Sequence, residues 1–138
     1  MKFTKKDIEQ ILEDYNIGKY KSHKKLWWSL DNILLLLNTD KGKFILKFFK
    51  DSNKKYVLWT LETMERMRKK GLPAPETFRD KQKGLIHDYK RRYLIIQEFI
   101  EGEEIRKFKQ KLVIDFARNL GLLDKYLLKT KLIGKIYF

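Results

Sequence analysis

The sequence predicts an α+β fold: an antiparallel sheet of five or six strands with one helix inserted between two groups of strands and a helix at each end. Three observations carry this. Apolar runs of strand length are joined by short turns such as "NTDKG" and "DKQKG", which suits antiparallel neighbours. Helical periodicity appears in only three places, at both ends and once in the middle. The chain has 138 residues, room for one compact domain with a modest core.

Taken in order, Thr4 is a natural N-cap, with Asp7 three residues on as in a capping box. Ile8, Ile11, Leu12 and Tyr15 follow at helical spacing, and "YNIG" closes the helix. Residues 19–28 read as extended, ending in Trp27 and Trp28, which are expected to pack against the sheet. After a polar interruption, Ser29 to Asn32, the strand "ILLLL" forms a hairpin through "NTDKG" with "KFILKFF". Residues 53–70 read as a helix whose stripe holds Val57, Leu61, Met64 and Arg68, with Leu58 beside it. "KKGLPAP" ends it with basic residues, a glycine at C′ and then proline. Extended segments flank "DKQKG", and "RYLIIQEFI" has the length and apolarity of a central strand. A last helix is expected over roughly 104–128, with Leu112, Phe116, Leu120, Leu123 and Leu127 on its inner face.

Composition narrows the function classes. Hydrophobic content of 43% and aromatic content of 14% suit a folded protein. With no cysteine, disulfides and thiolate metal sites are excluded. His23 and His87 make no ligand pattern with each other. The start, "MKFTKKDIEQ", lacks the apolar core of a signal peptide, and the longest aliphatic run, Ile33 to Leu37, is too short to span a bilayer. A cytoplasmic protein is the expectation. Thirty-two Lys and Arg against eighteen acids give a net charge of +14, a field that attracts nucleotides, nucleic acid and anionic surfaces alike. No RNP, zinc-finger or helix-turn-helix signature accompanies it.

One residue stands out. In Phe44-Ile45-Leu46-Lys47-Phe48-Phe49 both faces of the strand are apolar apart from Lys47, which shares its face with Ile45 and Phe49. One reading is an edge-strand lysine that snorkels to water or guards against aggregation. The other is a lysine aimed into a cleft to hold phosphate.

The stretches "YNIGKYKS", "DNILLLLNTDKGKFILKFF", "MERMRKKGLPAPETF" and "YLIIQEFIEGE", in this order and spacing, resemble the N-terminal lobe of the aminoglycoside phosphotransferase and homoserine kinase type II superfamily. These are protein-kinase-like folds that phosphorylate small molecules. The resemblance covers about residues 4–105 and implies a nucleotide-binding lobe over 1–103, with 104–138 the start of a second lobe. It implies that Lys47 contacts the α- and β-phosphates of ATP and that Ile45 lies against the adenine. "QEFIEGE" would be the hinge: the carbonyl of Glu98 and the N–H of Ile100 would bind adenine, with Gln97 at the back of the pocket. In the loop over the phosphates Asn32 matches the family pattern, whereas Ser29 stands where the family has a glycine, and its Cβ hinders close backbone approach. The family glutamate that pairs with the lysine falls near Thr60. The nearby carboxylates are Glu62, closer in sequence, and Glu65, nearer the apolar stripe; Glu62 is the one named here.

The catalytic pattern of the family's second lobe, H-x-D-x-x-x-x-N, is absent: His87-Asp88 lacks the spacing, and Tyr93 stands five residues after the aspartate. The resemblance therefore implies an ATP-binding lobe of a truncated or split phosphotransferase. Magnesium and a small-molecule acceptor would depend on a second lobe. Two alternatives stay open: a non-catalytic kinase-like scaffold, as in some spore-coat relatives, and a small basic module binding nucleic acid. Alone, such a lobe is expected to expose Ile45, Phe49 and the hinge strand, so self-association or a second polypeptide is expected.

Overall fold

The computed structural model describes residues 2–26, 32–50, 53–102 and 109–129. Three helices, α1 (Lys5–Glu13), α2 (Lys54–Lys69) and α3 (Gln110–Lys129), accompany six strands: β1 (Tyr20–Leu26), β2 (Asn32–Thr39), β3 (Gly42–Phe49), β4 (Thr77–Phe78), β5 (His87–Tyr89) and β6 (Arg92–Glu98). All pairings are antiparallel, in the order β1-β2-β3-β6-β4, with β5 also on β6. β3 therefore lies between β2 and β6, and the edge-strand reading of Lys47 fails. The fold is α+β as expected, with a helix at each end.

The expected boundaries mostly hold. Thr4 caps α1 with a reciprocal capping box to Asp7, and Gly71 follows α2 with φ 84°, a left-handed conformation open to glycine. The last helix is described from Gln110, while residues 104–108 of its expected start lie outside the described residues. Its supposed inner face is also open: Phe116 is 70% exposed and Leu120 47%, while only Leu123 and Leu127 are half-buried. Met67, Leu72 and Pro73 face Phe116, Leu120 and Leu123 across a cavity of about 210 Å³. Trp27, Trp28 and Ser29 lie outside the described residues.

The pleat gives the sheet two unlike faces. On one, Ile33, Leu35 and Leu37 of β2, Phe44, Leu46 and Phe48 of β3, and Leu94 and Ile96 of β6 join Phe3, Ile8, Ile11, Leu12 and Tyr15 from the α1 region in one dry core. The other face carries the smaller cluster of Phe49, Val57, Leu61, Leu85 and Ile95 beneath α2. Phe49 is thus buried rather than exposed, because the N-terminal half of α2 covers it; Ile45 stays half-buried. The loop between β4 and β5 ties the two helices to the sheet. Arg79 donates twice to Glu65 of α2, at 2.9 and 3.1 Å. His87 lies between Asp80 (3.1 Å) and Asp14 at the end of α1 (3.4 Å).

Candidate functional site

Cross-strand partners share a face, so the register reads out the rows of the open face. Leu26, Leu34, Lys47 and Ile95 form one row, and Lys24, Leu36, Ile45, Gln97 and Thr77 the next. Asn32 pairs with Phe49, which pairs with Tyr93. The register puts Lys47, Ile45, Asn32 and Gln97 on one face of the sheet, where the sequence analysis does not place Leu26, Leu34 and Lys24, which share it. A signal was present: the hairpin register alone puts Leu34 opposite Lys47.

Where α2 crosses this face, Lys47, Phe49, Ile95 and Gln97 of the sheet and Tyr56, Val57, Thr60, Leu61 and Met64 of the helix line a cavity of about 360 Å³. The helix residues follow from geometry: positions 57, 60, 61 and 64 recur on one side of a helix. Among the described residues the lining is apolar except for one ammonium, one amide and two hydroxyls. The Lys47 Nζ stands 5.2 Å from the centroid of the Phe49 ring, within cation–π range. Phe49 in turn stacks on Tyr93, centroids 4.9 Å apart. Gln97 is held by donation from Nε2 to Thr77 Oγ1, 3.0 Å. The Thr60 hydroxyl donates to the Tyr56 carbonyl, 2.9 Å.

No carboxylate pairs with Lys47 among the described residues. Glu62 is not brought to it. Two residues beyond Thr60 is a rotation of about 200° around the helix, so Glu62 is exposed while Thr60 faces the cavity. Glu65 is committed elsewhere, to Arg79 and, at 3.7 Å, to Lys69. Glu98 pairs with Phe44, which turns its side chain to the α1 face, where it accepts from the Glu76 N–H, 3.1 Å. Its own N–H donates to the Glu76 carbonyl, 2.9 Å. Any contact it makes at the cleft is therefore through backbone. Ile100 follows β6 and is 62% exposed. Ser29 lies outside the described residues.

The order of elements, with a helix between β3 and β4 and a lone lysine on the open face of the central strand, defines a kinase-like N-terminal lobe. The comparisons agree. No family model matches the chain. It is 28% identical over 102 residues to homoserine kinases from Bartonella henselae and Brucella ovis, 73% of this chain and 32% and 31% of those proteins. The crystal structure of spectinomycin phosphotransferase, APH(9)-Ia, in complex with ADP and spectinomycin superposes with a TM-score of 0.59 at 8% identity, covering 75% of this chain and 31% of that one. The chain is thus similar in sequence to homoserine kinases and shares its fold with the corresponding part of an aminoglycoside phosphotransferase. The chain spans about a third of the length of the curated relatives it matches. No helix among the described residues is long and apolar enough to cross a membrane.

Proposed function

We propose that this chain is the ATP-binding lobe of a small-molecule phosphotransferase, with Lys47 as its phosphate-binding residue. The observation that carries the reading is the Lys47 ammonium itself: on a central strand, beside a largely apolar cavity, with no carboxylate paired to it among the described residues. A buried or half-buried cation with no partner costs stability, and a site for an anion explains its position. Two unit charges about 4 Å apart attract by about 4 kcal/mol at the effective dielectric typical near a protein surface. Ile45, with Leu34 and Leu36 beside it, offers a flat apolar surface for a base. The two lobes would divide near residue 103, with residues 104–138 opening the second. The transfer of a γ-phosphate to a hydroxyl would need a base and metal ligands from that second lobe, whose pocket would also choose the acceptor.

Calorimetric titration of ATP into wild type and Lys47→Met tests the assignment. A loss of tenfold or more in affinity is expected, about 1.4 kcal/mol, without loss of fold by circular dichroism. Equal affinity in the two proteins would refute the role of Lys47. A second reading, the non-catalytic scaffold, is favoured by Thr60 standing in place of a carboxylate, and it predicts no ATP binding by either protein. A nucleic-acid module would instead show affinity that falls steeply with salt and ignores Lys47.

A further inference from the structure

Phosphoryl transfer on a kinase-like fold uses magnesium, so the residues around Lys47 can be tested for a fit to that ion. Magnesium takes near-octahedral oxygen ligands and is normally held through one or two carboxylates. Among the described residues the cavity lining contains none: its polar members are Lys47, Tyr56, Thr60 and Gln97. Glu62 points away and Glu65 is held by Arg79. Among the described residues no three His, Asp or Glu group in a way that could hold a metal ion. The residues do not fit the ion, and this face supplies a cation where a metal site would supply anions.

The same face is richer in positive charge than one lysine. Lys24 shares the row of Ile45 across the sheet. Lys43 pairs with Asn38, which pairs with Ser22, and so lies one row further along; it is partly neutralised by Glu101 at 3.8 Å. Thr60 decides the balance at the centre. A carboxylate at this position would lie across the cavity from Lys47 and neutralise it. Threonine cannot, and its hydroxyl is already engaged with the Tyr56 carbonyl.

We propose that this face binds the phosphates of a nucleotide as the free polyanion in preference to its magnesium complex, and that Thr60 sets this preference by placing no carboxylate across the cavity from the Lys47 ammonium. The proposal rests on the nucleotide-binding reading above. Its physical basis is simple. The free triphosphate carries about twice the charge of its magnesium complex, and an uncompensated ammonium gains most from the more charged ligand. With a glutamate opposite, the site would be neutral overall and this gain would vanish.

The test uses the whole 138-residue chain in calorimetric titrations with ATP, once in excess EDTA and once in excess magnesium chloride, at matched ionic strength. Wild type is expected to bind ATP about threefold or more tightly in EDTA. Thr60→Glu is expected to lower the EDTA affinity by about tenfold and to erase the preference, because the new carboxylate pairs with Lys47. Thr60→Gln, of the same size and uncharged, should keep it. Tighter binding with magnesium, or a preference unchanged by Thr60→Glu, would overturn the proposal while leaving the nucleotide-binding reading intact. A preference that survives Lys47→Met would also overturn it, since diffuse surface charge would then be the cause. Failure of wild type to bind ATP in either buffer would sink the reading and this inference together.

Discussion

Asp7 and Lys47 are each a single charge beside the same sheet, on opposite sides of it, and they are treated in opposite ways. Asp7, on α1, accepts from Lys90 Nζ at 2.8 Å, from the Thr4 N–H at 2.9 Å, from the Thr4 hydroxyl at 2.7 Å and from the Tyr89 hydroxyl at 2.9 Å. The Lys90 ammonium, then the Thr4 and Tyr89 donors, hold its carboxyl well below the usual carboxylate range. Lys47 has the Phe49 ring and, among the described residues, no anionic partner. The α1 face is complete in itself, with its core sealed and its charge satisfied. The α2 face is complete only at one end, where Phe49, Val57 and Leu61 pack; toward Ile45 and Lys47 it is left half-open. Stability is built on one side of the sheet, while on the other a half-buried ammonium stands beside an open cavity.

The largest expected effect contrasts the two faces within one strand. Phe48 is 1% exposed and stacks on Phe3, ring centroids 3.7 Å apart. Phe48→Ala should lower unfolding free energy by about 3–5 kcal/mol, the usual cost of deleting a buried aromatic. Ile45→Ala, three residues away on the half-open face, should cost about 1–2 kcal/mol, since Ile45 is only half-buried and leaves no closed cavity behind. Urea denaturation of both variants decides the matter. Equal losses would mean that the open face is as much a structural core as the closed one, and the comparison would break.

The next effect concerns the stitched charge. Asp7→Asn removes the acceptor from the capping box and from Lys90, and should cost about 1–2 kcal/mol near neutral pH. The sign of the pH dependence follows from the lowered value in the fold. The contribution is fully present above the ordinary carboxylate value of 3.8 and is lost as the pH falls from there through the depressed folded value. The stability gap between wild type and Asp7→Asn should therefore be constant from pH 7 down to about 4 and shrink below it. A gap that instead changes between pH 5 and 7 would assign the effect to a group other than Asp7.

Most of the architecture was legible because local signals agreed with one another. The Thr4–Asp7 capping box, the "NTDKG" turn and the glycine after α2 each stand where the sequence put them. Period-two alternation in β3 puts Lys47, Ile45 and Phe49 on one face, as the register has them, whereas Gln97 on β6 joins them only through the family resemblance. What failed depended on partners distant in sequence. The choice of Glu62 came from proximity along the chain, whereas the side of a helix is decided by its rotation, and rotation favours Thr60. The stripe on α3 was real as a periodicity, yet periodicity says nothing of what covers it. His87 looked isolated because Asp14 and Asp80 reach it only through the fold.

The smallest expected effect is the most telling about Lys47. If this ammonium were an ordinary stabilising residue, replacing it with methionine, similar in length and uncharged, would weaken the protein. Its surroundings argue otherwise. Phe49, Val57, Leu61, Met64 and Ile95 line the cavity with it, and no carboxylate offsets its desolvation among the described residues. Removing the charge relieves that cost and adds apolar contact, while losing one cation–π contact of about 0.5–1 kcal/mol. Lys47→Met should therefore leave unfolding free energy unchanged or raise it by up to about 1 kcal/mol. The same variant should lose nucleotide affinity, so one substitution would move stability and binding in opposite directions. That divergence is what a residue kept for a ligand produces. A clear loss of stability in Lys47→Met would instead make the lysine part of the scaffold and remove the contrast between the two faces.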